Sequence, residues 1–165
     1  MSERPPLAGR RAVVVTCSTR AAEGVYPDRG GALIADALRG WGCEVAEPVV
    51  VPDGPAVAEA LAAAVADAPD LVLTTGGTGL TPTDGTPEAT RPLLDREVPG
   101  VAEAIRAAGV AKGVPTAILS RGLAGLAGRT LVVNLPGSSG GVKDALAVLG
   151  DVLPHALDQV RGGDH

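Results

Sequence analysis

The feature that most constrains the fold is an uninterrupted apolar run at residues 11–16 (RAVVVT), which is rich in β-branched side chains. Such a run is typical of a strand buried on both faces, because a strand with one face in water alternates apolar and polar residues. Residues 70–75 (DLVLTT) repeat the pattern, and further strands are predicted at residues 44–51, 116–119 and 130–135. Several buried strands predict a mainly parallel sheet.

Helical patterns separate these runs and are expected over residues 31–41, 55–66, 101–108 and 142–160. Gly42 follows the first of them, where a helix end favours a left-handed residue. Gly150 and Pro154 predict that the last helix is kinked or divided into two pieces. Thr86, followed by Pro87, predicts a short helix with a capping hydroxyl and a proline at its first position.

Strand and helix alternate along the whole chain, so we predict a doubly wound α/β sandwich with a mainly parallel sheet. The 165 residues are close to the modal size of one domain, and no repeat or long linker divides them. We therefore expect a single domain over residues 1–165. In such sheets, ligands bind beyond the carboxyl ends of the strands, so the loops that follow the strands are the candidate sites.

The scarcity of aromatic residues excludes one class of function. Aromatic side chains make up 1% of the chain, and Trp41 and Tyr26 are the only two. Modules that bind single-stranded nucleic acid or RNA stack bases on aromatic side chains, which this chain lacks. A net charge of −5 also opposes binding to a phosphate backbone. We expect no nucleic-acid partner.

Cysteine and histidine are also scarce. Cys17 and Cys43 are too far apart for a CxxC motif and too few for a disulfide framework, which predicts a reducing, cytoplasmic environment. His155 and His165 are the only histidines, too few for HExxH zinc sites and a poor basis for Ser-His-Asp catalysis. No apolar run approaches the roughly 18 residues of a membrane span, so we expect a soluble protein without a membrane partner.

Two glycine-rich loops follow predicted strands, at residues 76–79 (GGTG) and 134–141 (NLPGSSGG). Glycine lets backbone N–H groups approach an anion closely, and the hydroxyls of Thr78 and Ser138 add neutral donors, so each loop could hold a phosphate. Tight turns use glycine equally well, and that alternative stays open. The chain has neither a GxGxxG nor a Walker A motif, so dinucleotide oxidoreduction and P-loop hydrolysis are not supported.

Two carboxylates lie at strand-end loops, Asp53 in Pro-Asp-Gly and Asp84 in Asp-Gly. Mg²⁺ is usually held by one or two carboxylates together with substrate phosphates, so this pair could bind it. Both sequences are also ordinary turn sequences, which is the simpler interpretation. Ser18 and Asp28, in the loop after the first strand, have the same two interpretations, while Cys17 is interpreted as a small buried apolar residue.

At these loops the chain resembles the molybdopterin adenylyltransferases of molybdenum cofactor biosynthesis, the Mog and MoaB group and the amino-terminal domain of gephyrin. The resemblance extends from Val13 to about Leu149. It is carried by the segments LVLTTGGTGLTPTDGTPEAT (71–90), REVPG (96–100), PTAILSR (115–121), NLPGS (134–138) and GVYPDRGG (24–31).

The resemblance implies a three-layer α/β/α domain, usually a homotrimer, that transfers AMP from Mg-ATP to the terminal phosphate of molybdopterin and releases pyrophosphate. Asp53 and Asp84 would then be the catalytic, metal-binding pair. A molybdenum insertase is an implied partner. The implied nucleotide-phosphate residues are Gly76, Gly77, Thr78 and Gly79, and the implied substrate-binding residues are Ser18, Asn134, Pro136, Gly137 and Ser138.

Two positions depart from the family pattern. Thr19 stands where members often have an aspartate after the serine, and Thr83 stands where they often have an arginine before the loop aspartate. The alternatives to an adenylyltransferase are therefore a non-catalytic molybdopterin carrier of the same fold and an oligomeric interaction scaffold.

Overall fold

The computed structural model of the chain describes residues 3–163. The strands are β1 Arg11–Cys17, β2 Glu44–Val45, β3 Val49–Val51, β4 Leu71–Thr75, β5 Arg96–Glu97, β6 Ala124–Ala127 and β7 Thr130–Leu135. The helices are α1 Thr19–Ala22, α2 Arg29–Gly40, α3 Pro55–Ala66, α4 Thr86–Thr90, α5 Pro99–Ala111 and α6 Ser139–Val160. Two 3₁₀ segments cover Arg91–Leu93 and Pro115–Leu119. The predicted domain boundaries at residues 1 and 165 lie outside the described residues.

All seven of these strands belong to one sheet in the order β2-β1-β4-β7-β6-β5, and β3 also pairs with β1. The pairs that β1 forms with β2, β3 and β4 are parallel, as is the pair of β4 with β7. The remaining pairs, β6 with β7 and β5 with β6, are antiparallel. The prediction of a mainly parallel α/β sheet is confirmed.

Alternate residues of the central strands enter two separate cores, because successive side chains of a strand point to opposite faces. In β4, Leu71 and Leu73 pack in the larger core with α2, α5 and α6, while Val72 packs in the smaller core with α3. This arrangement covers both faces of the sheet with helices and makes the three-layer α/β/α sandwich. It also explains why the central strands are apolar without interruption.

Two strand predictions are wrong. Residues 116–119 lie in the 3₁₀ segment Pro115–Leu119, because this segment packs on α5 rather than in the sheet. A Cβ at Gly109 of α5 would lie 2.6 Å from the Cβ of Ala117, so the missing side chain at Gly109 makes room for the segment. Residues 44–51 form two short strands, β2 and β3, instead of one.

The strands β5 and β6 were not predicted from the sequence. β6 has the sequence AGLA, which lacks β-branched residues and so gives no strand signal. Its Gly125 is required by close packing, since a Cβ there would lie 2.5 Å from the carbonyl oxygen of Arg96 in β5.

The last helix, α6, is a single helix of 22 residues with Pro154 inside it, so the predicted division into two pieces is wrong. Leu149, Leu153 and Leu157 are fully buried along one face of α6, and this packing holds the helix together across the proline. On another part of α6, a Cβ at Gly150 would lie 3.2 Å from the ring of Trp41, which follows α2. Within residues 3–163, no helix is both long and apolar enough to cross a membrane.

We predict that Leu153→Ala lowers the free energy of unfolding by about 2–5 kcal/mol, the usual cost of truncating a buried leucine. The neighbouring Val152 is 39% exposed, so Val152→Ala is the matched control and should change stability by less than about 1 kcal/mol. Urea unfolding followed by circular dichroism measures both. Equal effects of the two substitutions would contradict the packing of α6 described here.

Candidate functional site

Two cavities open at the edge of the sheet where β1, β3, β4 and β7 end. Cavity A has a volume of about 590 Å³, and cavity B has about 580 Å³. The lining of cavity A includes Thr16, Cys17, Ser18, Tyr26, Asp28, Asp53, Thr75, Gly76, Gly77, Gly137, Ser138 and Ser139. The lining of cavity B includes Gly77, Thr78, Gly79, Asp84, Arg106, Lys112, Ser120, Pro136, Gly137, Ser138, Gly141, Lys143 and Asp144.

The two cavities share a wall made of Gly77, Gly137 and Ser138. These residues come from both glycine-rich loops, so the predicted loops do meet in space. They pack closely, because a Cβ at Gly137 would lie 3.3 Å from the Cα of Gly76. The shared wall, which we call the junction, is thus mostly backbone, and ligands in the two cavities would approach each other across it.

The loop after β4 needs glycine at two consecutive positions. Gly76 has φ +90° and Gly77 has φ +68°, in the left-handed region that other residues rarely adopt. A Cβ at Gly76 would clash with the carbonyl oxygen of Cys17, and a Cβ at Gly77 would clash with the hydroxyl of Thr86. The chain therefore turns sharply here and keeps the junction free of side chains.

Thr86 holds this turn in place and does not cap α4 as predicted. The N-cap of α4 is Gly85, and no side chain caps the helix. The Thr86 hydroxyl donates to the carbonyl oxygen of Gly76 at 3.0 Å, and its backbone N–H donates to the carbonyl of Gly77 at 3.1 Å. The helix begins where the sequence predicts, but the hydroxyl and the backbone N–H of Thr86 bind the carbonyl groups of the two turn glycines.

Asp53 follows β3 and lies in cavity A, half-buried. Thr19 holds its carboxylate, since the Thr19 hydroxyl and backbone N–H lie 3.2 Å and 3.4 Å from Asp53 Oδ2. The other oxygen, Oδ1, faces the glycine turn and would lie 3.3 Å from a Cβ at Gly77. One carboxylate oxygen is thus anchored to α1, and the other points to the junction.

Asp84 lies on the other side of the same loop, in cavity B. Its Oδ2 accepts a hydrogen bond from the backbone N–H of Thr81 at 3.2 Å and would lie 2.9 Å from a Cβ at Gly79. Asp53 and Asp84 do not line one common cavity, whereas their positions in the sequence suggest a pair of carboxylates around one Mg²⁺ ion. The loop 76–79 separates them, and Gly77 borders both cavities.

A magnesium ion fits this arrangement only with help from its substrates. Within the part of the chain that the structure describes, no group of three or more His, Cys, Asp or Glu side chains is arranged to hold a metal ion. Each cavity offers two carboxylates, Asp28 and Asp53 in cavity A and Asp84 and Asp144 in cavity B, and cavity B adds the hydroxyl of Thr78. These are hard oxygen donors of the kind that Mg²⁺ prefers when phosphates complete its coordination.

The predicted phosphate-binding residues divide between the two cavities. Gly76 lines cavity A, Thr78 and Gly79 line cavity B, and Gly77 lines both. Thr78 is buried, and its hydroxyl accepts a hydrogen bond from the Ser120 hydroxyl at 3.2 Å.

Four of the five predicted substrate-binding residues line a cavity. Ser18 lies in cavity A, Pro136 in cavity B, and Gly137 and Ser138 in both. Ser138 also caps α6, because its hydroxyl accepts a hydrogen bond from the backbone N–H of Gly141 at 3.1 Å.

Asn134 lines neither cavity. Its side chain is buried, donates to the hydroxyls of Thr74 and Thr90 at 3.1 Å each, and accepts from the backbone N–H of Leu123 at 3.0 Å. These bonds join β7, β4, α4 and the segment before β6, so Asn134 supports the loops from beneath the site.

Cavity A is also lined by Asp28, for which the sequence leaves both interpretations open, and by Tyr26, which is not among the predicted site residues. Asp28 caps α2 by accepting from the backbone N–H of Gly31 at 2.9 Å, and it also accepts from the Thr16 hydroxyl at 2.8 Å. Tyr26 lies at the rim, where its hydroxyl is 3.0 Å from that of Ser18. An aspartate before a helix is a recognisable N-cap signal, but nothing in the sequence indicates that Tyr26 turns back onto Ser18.

Cys17 lies in cavity A, in surroundings that disfavour its thiolate. Burial, together with the negative charge of Asp53, raises the pKa of the Cys17 thiol to about 11, against a weaker opposing effect of a hydrogen bond with Thr86. Its side chain is buried, as the sequence interpretation expects.

Comparison with known proteins identifies the family. The family described as "Probable molybdopterin binding domain" matches residues 13–155, which include both cavities and the junction. The chain belongs to this family. The resemblance noted in the sequence is thereby confirmed.

Relatives of this molybdopterin-binding domain are proteins of molybdenum cofactor biosynthesis. A "Molybdenum cofactor biosynthesis bifunctional protein" from Synechococcus elongatus is 43% identical over 160 residues, 96% of this chain and 50% of that protein. A "Molybdopterin adenylyltransferase" from Helicobacter pylori is 35% identical over 153 residues, 90% of this chain and 86% of that protein. The chain spans about half the length of the bifunctional relatives.

A solved structure of a relative has the same fold. The structure of the molybdopterin biosynthesis Mog protein from Mycobacterium ulcerans is 55% identical to the chain, with a TM-score of 0.88. The match covers 92% of this chain and 99% of that protein.

We predict that Gly76→Ala destabilises the domain more than Gly128→Ala. Both glycines have positive φ, but a Cβ at Gly128 meets no atom within 4 Å, whereas a Cβ at Gly76 meets the Cys17 carbonyl. Gly128→Ala should therefore cost only the backbone strain, about 1–2 kcal/mol, and Gly76→Ala should cost clearly more. Denaturant unfolding of the two variants measures the difference, and equal costs would contradict the close approach at Cys17.

We also predict that both cysteines of the folded domain react slowly with iodoacetamide at pH 8. Burial raises the pKa of Cys17 and of Cys43 from 9.0 to about 11 in each case. At pH 8, the thiolate fraction of each cysteine is then roughly 100-fold smaller than that of a cysteine with the unshifted pKa, and only the thiolate reacts. Mass spectrometry should show labelling that increases as the pH rises towards 11 and is rapid at pH 8 after unfolding in urea. Rapid labelling of the folded protein at pH 8 would contradict the burial.

Proposed function

We propose that this domain transfers AMP from Mg-ATP to the terminal phosphate of molybdopterin and releases pyrophosphate, as a molybdopterin adenylyltransferase. The observation that carries the proposal is the junction, where two cavities meet across backbone and a serine. A reaction between two large anionic substrates needs two adjoining sites with their phosphates together at the boundary. The Helicobacter pylori relative, which is named a molybdopterin adenylyltransferase, supports the same reaction.

The chemistry suits a site without a general base. The attacking group is a phosphate monoester whose second pKa is near 6, so at pH 7 its oxygen is already largely deprotonated. That oxygen forms a bond to the α-phosphorus of ATP, and the bond from this phosphorus to the bridging oxygen of pyrophosphate breaks. The protein must bring the two anions together and stabilise the charge that develops, which is mainly a matter of position and electrostatics.

The residues at the junction can supply this stabilisation. Gly77 and Gly137 expose backbone at the boundary, and Ser138 is the N-cap of the 22-residue helix α6, whose N-terminus carries a partial positive charge. On the cavity B side, the side chains of Lys112 and Lys143 add positive charge. These groups favour phosphate at the boundary without blocking it.

Asp53 and Asp84 would hold Mg²⁺ jointly with the substrate phosphates, one from each cavity. Bound there, Mg²⁺ would neutralise negative charge on the phosphate oxygens. Thr19 fixes Asp53 through its hydroxyl, and the backbone of Thr81 fixes Asp84. Both carboxylates are therefore oriented before any ligand binds, which lowers the cost of forming the site.

We further propose that the domain works in the cytoplasm as a homotrimer and passes its product to a molybdenum insertase. Four exposed apolar residues at and after the end of α5 offer a surface for subunit contact, namely Val110, Val114, Ile118 and Leu119, of which Val114 and Leu119 also line cavity B. The Synechococcus elongatus relative, named bifunctional, is about twice as long as the matched region, which suits a coupled second step.

A non-catalytic molybdopterin carrier is the second candidate, because Asp53 and Asp84 lie in separate cavities. Incubation of the protein with molybdopterin and Mg-ATP decides between the two. Release of pyrophosphate with formation of adenylylated pterin supports the enzyme. Binding of the pterin without product supports the carrier and contradicts the proposed transfer.

If the transfer occurs, we predict that Asp53→Asn and Asp84→Asn each reduce turnover at least ~10²-fold, as removal of a preoriented electrostatic group does elsewhere. The isosteric amide keeps the shape of each side chain and removes its charge. Asp151→Asn is the matched control, because Asp151 is exposed on α6 and lines neither cavity. Pyrophosphate release measures all three, and unchanged turnover in both cavity variants would remove the metal hypothesis.

A further inference from the structure

The side chain of Arg121 ties together both ends of the loop that carries Asp84. Its Nε donates to the carbonyl oxygen of Gly79 at 2.9 Å, and its Nη2 donates to the carbonyl oxygen of Asp84 at 3.0 Å. Its backbone N–H donates to the carbonyl of Thr78 at 2.8 Å. One residue therefore binds three carbonyl groups of the segment 78–84.

This bonding closes the segment 79–84 into a loop of fixed shape. Inside it, the Asp84 carboxylate accepts from the backbone of Thr81, so its direction depends on the distance between the two ends. Arg121 itself is not part of the lining of cavity B. It reaches the proposed site only through Gly79 and Asp84.

Arg121 is in turn held from two sides. Glu88 of α4 accepts two hydrogen bonds from Arg121 Nη1, at 2.8 Å to each carboxylate oxygen. Arg106 of α5 donates to the carbonyl oxygens of Ser120 and Gly122 at 3.1 Å and 3.0 Å, which fixes the backbone on both sides of Arg121. The guanidinium group is thus anchored to two helices while it holds the loop.

We propose that Arg121 is a positioning residue for Asp84, which sets the direction of that carboxylate and hence its ability to hold a divalent cation at the junction. The inference rests on the proposed adenylyl transfer. It assigns a role to a residue that neither touches the substrates nor lines a cavity. Partners of this kind typically change metal affinity or activity 10–100-fold when they are substituted.

The geometry of the guanidinium group is what the role requires. Arginine presents several donors in one plane, so it can bind Gly79, Asp84 and Glu88 at the same time. Lysine keeps the positive charge and places it on a single nitrogen, which cannot reach both carbonyl groups and both oxygens of Glu88 in this arrangement. Arg121→Lys therefore keeps the positive charge and removes the planar set of donors, so it tests the geometry of the guanidinium group apart from its charge.

The experiment compares Arg121→Lys with wild type and with Arg91→Lys. Arg91 forms an exposed ion pair with Glu97 at 2.9 Å and has no bond to the segment 78–84. Arg91→Lys therefore makes the same chemical change away from the site. We expect Arg121→Lys to lower kcat about tenfold or more, with KM for molybdopterin within about twofold of wild type. Glu88→Gln, which weakens the anchor of Arg121, should lower kcat in the same direction by a smaller factor.

A second measurement does not depend on turnover. Free Mn²⁺ is measured by electron paramagnetic resonance in the presence of ATP and the absence of pterin, with Mn²⁺ as the probe for the divalent cation. We expect Arg121→Lys to raise the Mn²⁺ dissociation constant about tenfold, and Arg91→Lys to leave it unchanged.

Each outcome supports or overturns the inference. A loss of kcat with steady KM and weaker Mn²⁺ binding supports it. If kcat and Mn²⁺ binding match those of Arg91→Lys, or if kcat falls while KM rises and the melting temperature drops, the positioning role is wrong. Should wild type bind substrates without making product, the proposed transfer fails, and the Mn²⁺ measurement alone decides on Arg121. In that case, equal Mn²⁺ binding by Arg121→Lys and Arg91→Lys overturns the positioning role. The absence of Mn²⁺ binding by wild type overturns it as well.

Discussion

The close approach of two backbones, at Gly76 and the carbonyl of Cys17, is the constraint on which the site depends. A side chain at Gly76 would collide with that carbonyl, and a side chain at Gly77 would collide with Thr86. The chain can therefore turn directly at the end of β4, beside the end of β1. This sharp turn lets one short loop form a wall of cavity A on one side and of cavity B on the other.

Buried hydrogen bonds hold the turn from beneath. Thr86 binds the carbonyl groups of both glycines, and Asn134 joins Thr74, Thr90 and the backbone of Leu123. A buried polar group left without a partner costs about 1–3 kcal/mol, so these residues act as a set that is stable only when complete. The site is thus supported by polar groups in a sheet whose remaining core is almost entirely aliphatic.

The fold follows from the sequence where packing and local pattern agree. The central strands and α3 are correctly predicted because their side chains are apolar on both faces or lie at helical spacing. Residues 116–119 show the limit of this reasoning. Their apolar pattern is typical of a buried strand, but the segment packs outside the sheet, in the space that Gly109 leaves on α5. Gly109 lies outside the apolar run itself, so the pattern of residues 116–119 alone does not report that space.

The candidate site was predictable to a similar degree. Glycine-rich loops and carboxylates at strand ends were recognised because parallel strands present these loops together. Their division into two cavities was not, since it depends on which side of the loop 76–79 each side chain lies. Asn134 was misplaced for a related reason, because a polar residue at a strand end can face ligand or interior. Arg121 ends one of the segments that carry the family resemblance, but its role could not be predicted because it exists only through bonds to carbonyl groups of another loop.

The two aromatic residues, Trp41 and Tyr26, occupy separate regions, and this places one optical probe in each. Trp41 packs on Gly150 between the helices that cover one face of the sheet, whereas Tyr26 lies at the rim of cavity A beside Ser18. Because the chain has one tryptophan, one tyrosine and no phenylalanine, emission excited at the tryptophan band reports the helical layer alone. Tyrosine absorption overlaps the stronger tryptophan band, so in a Trp41→Phe variant the remaining tyrosine emission would report events at the rim of cavity A.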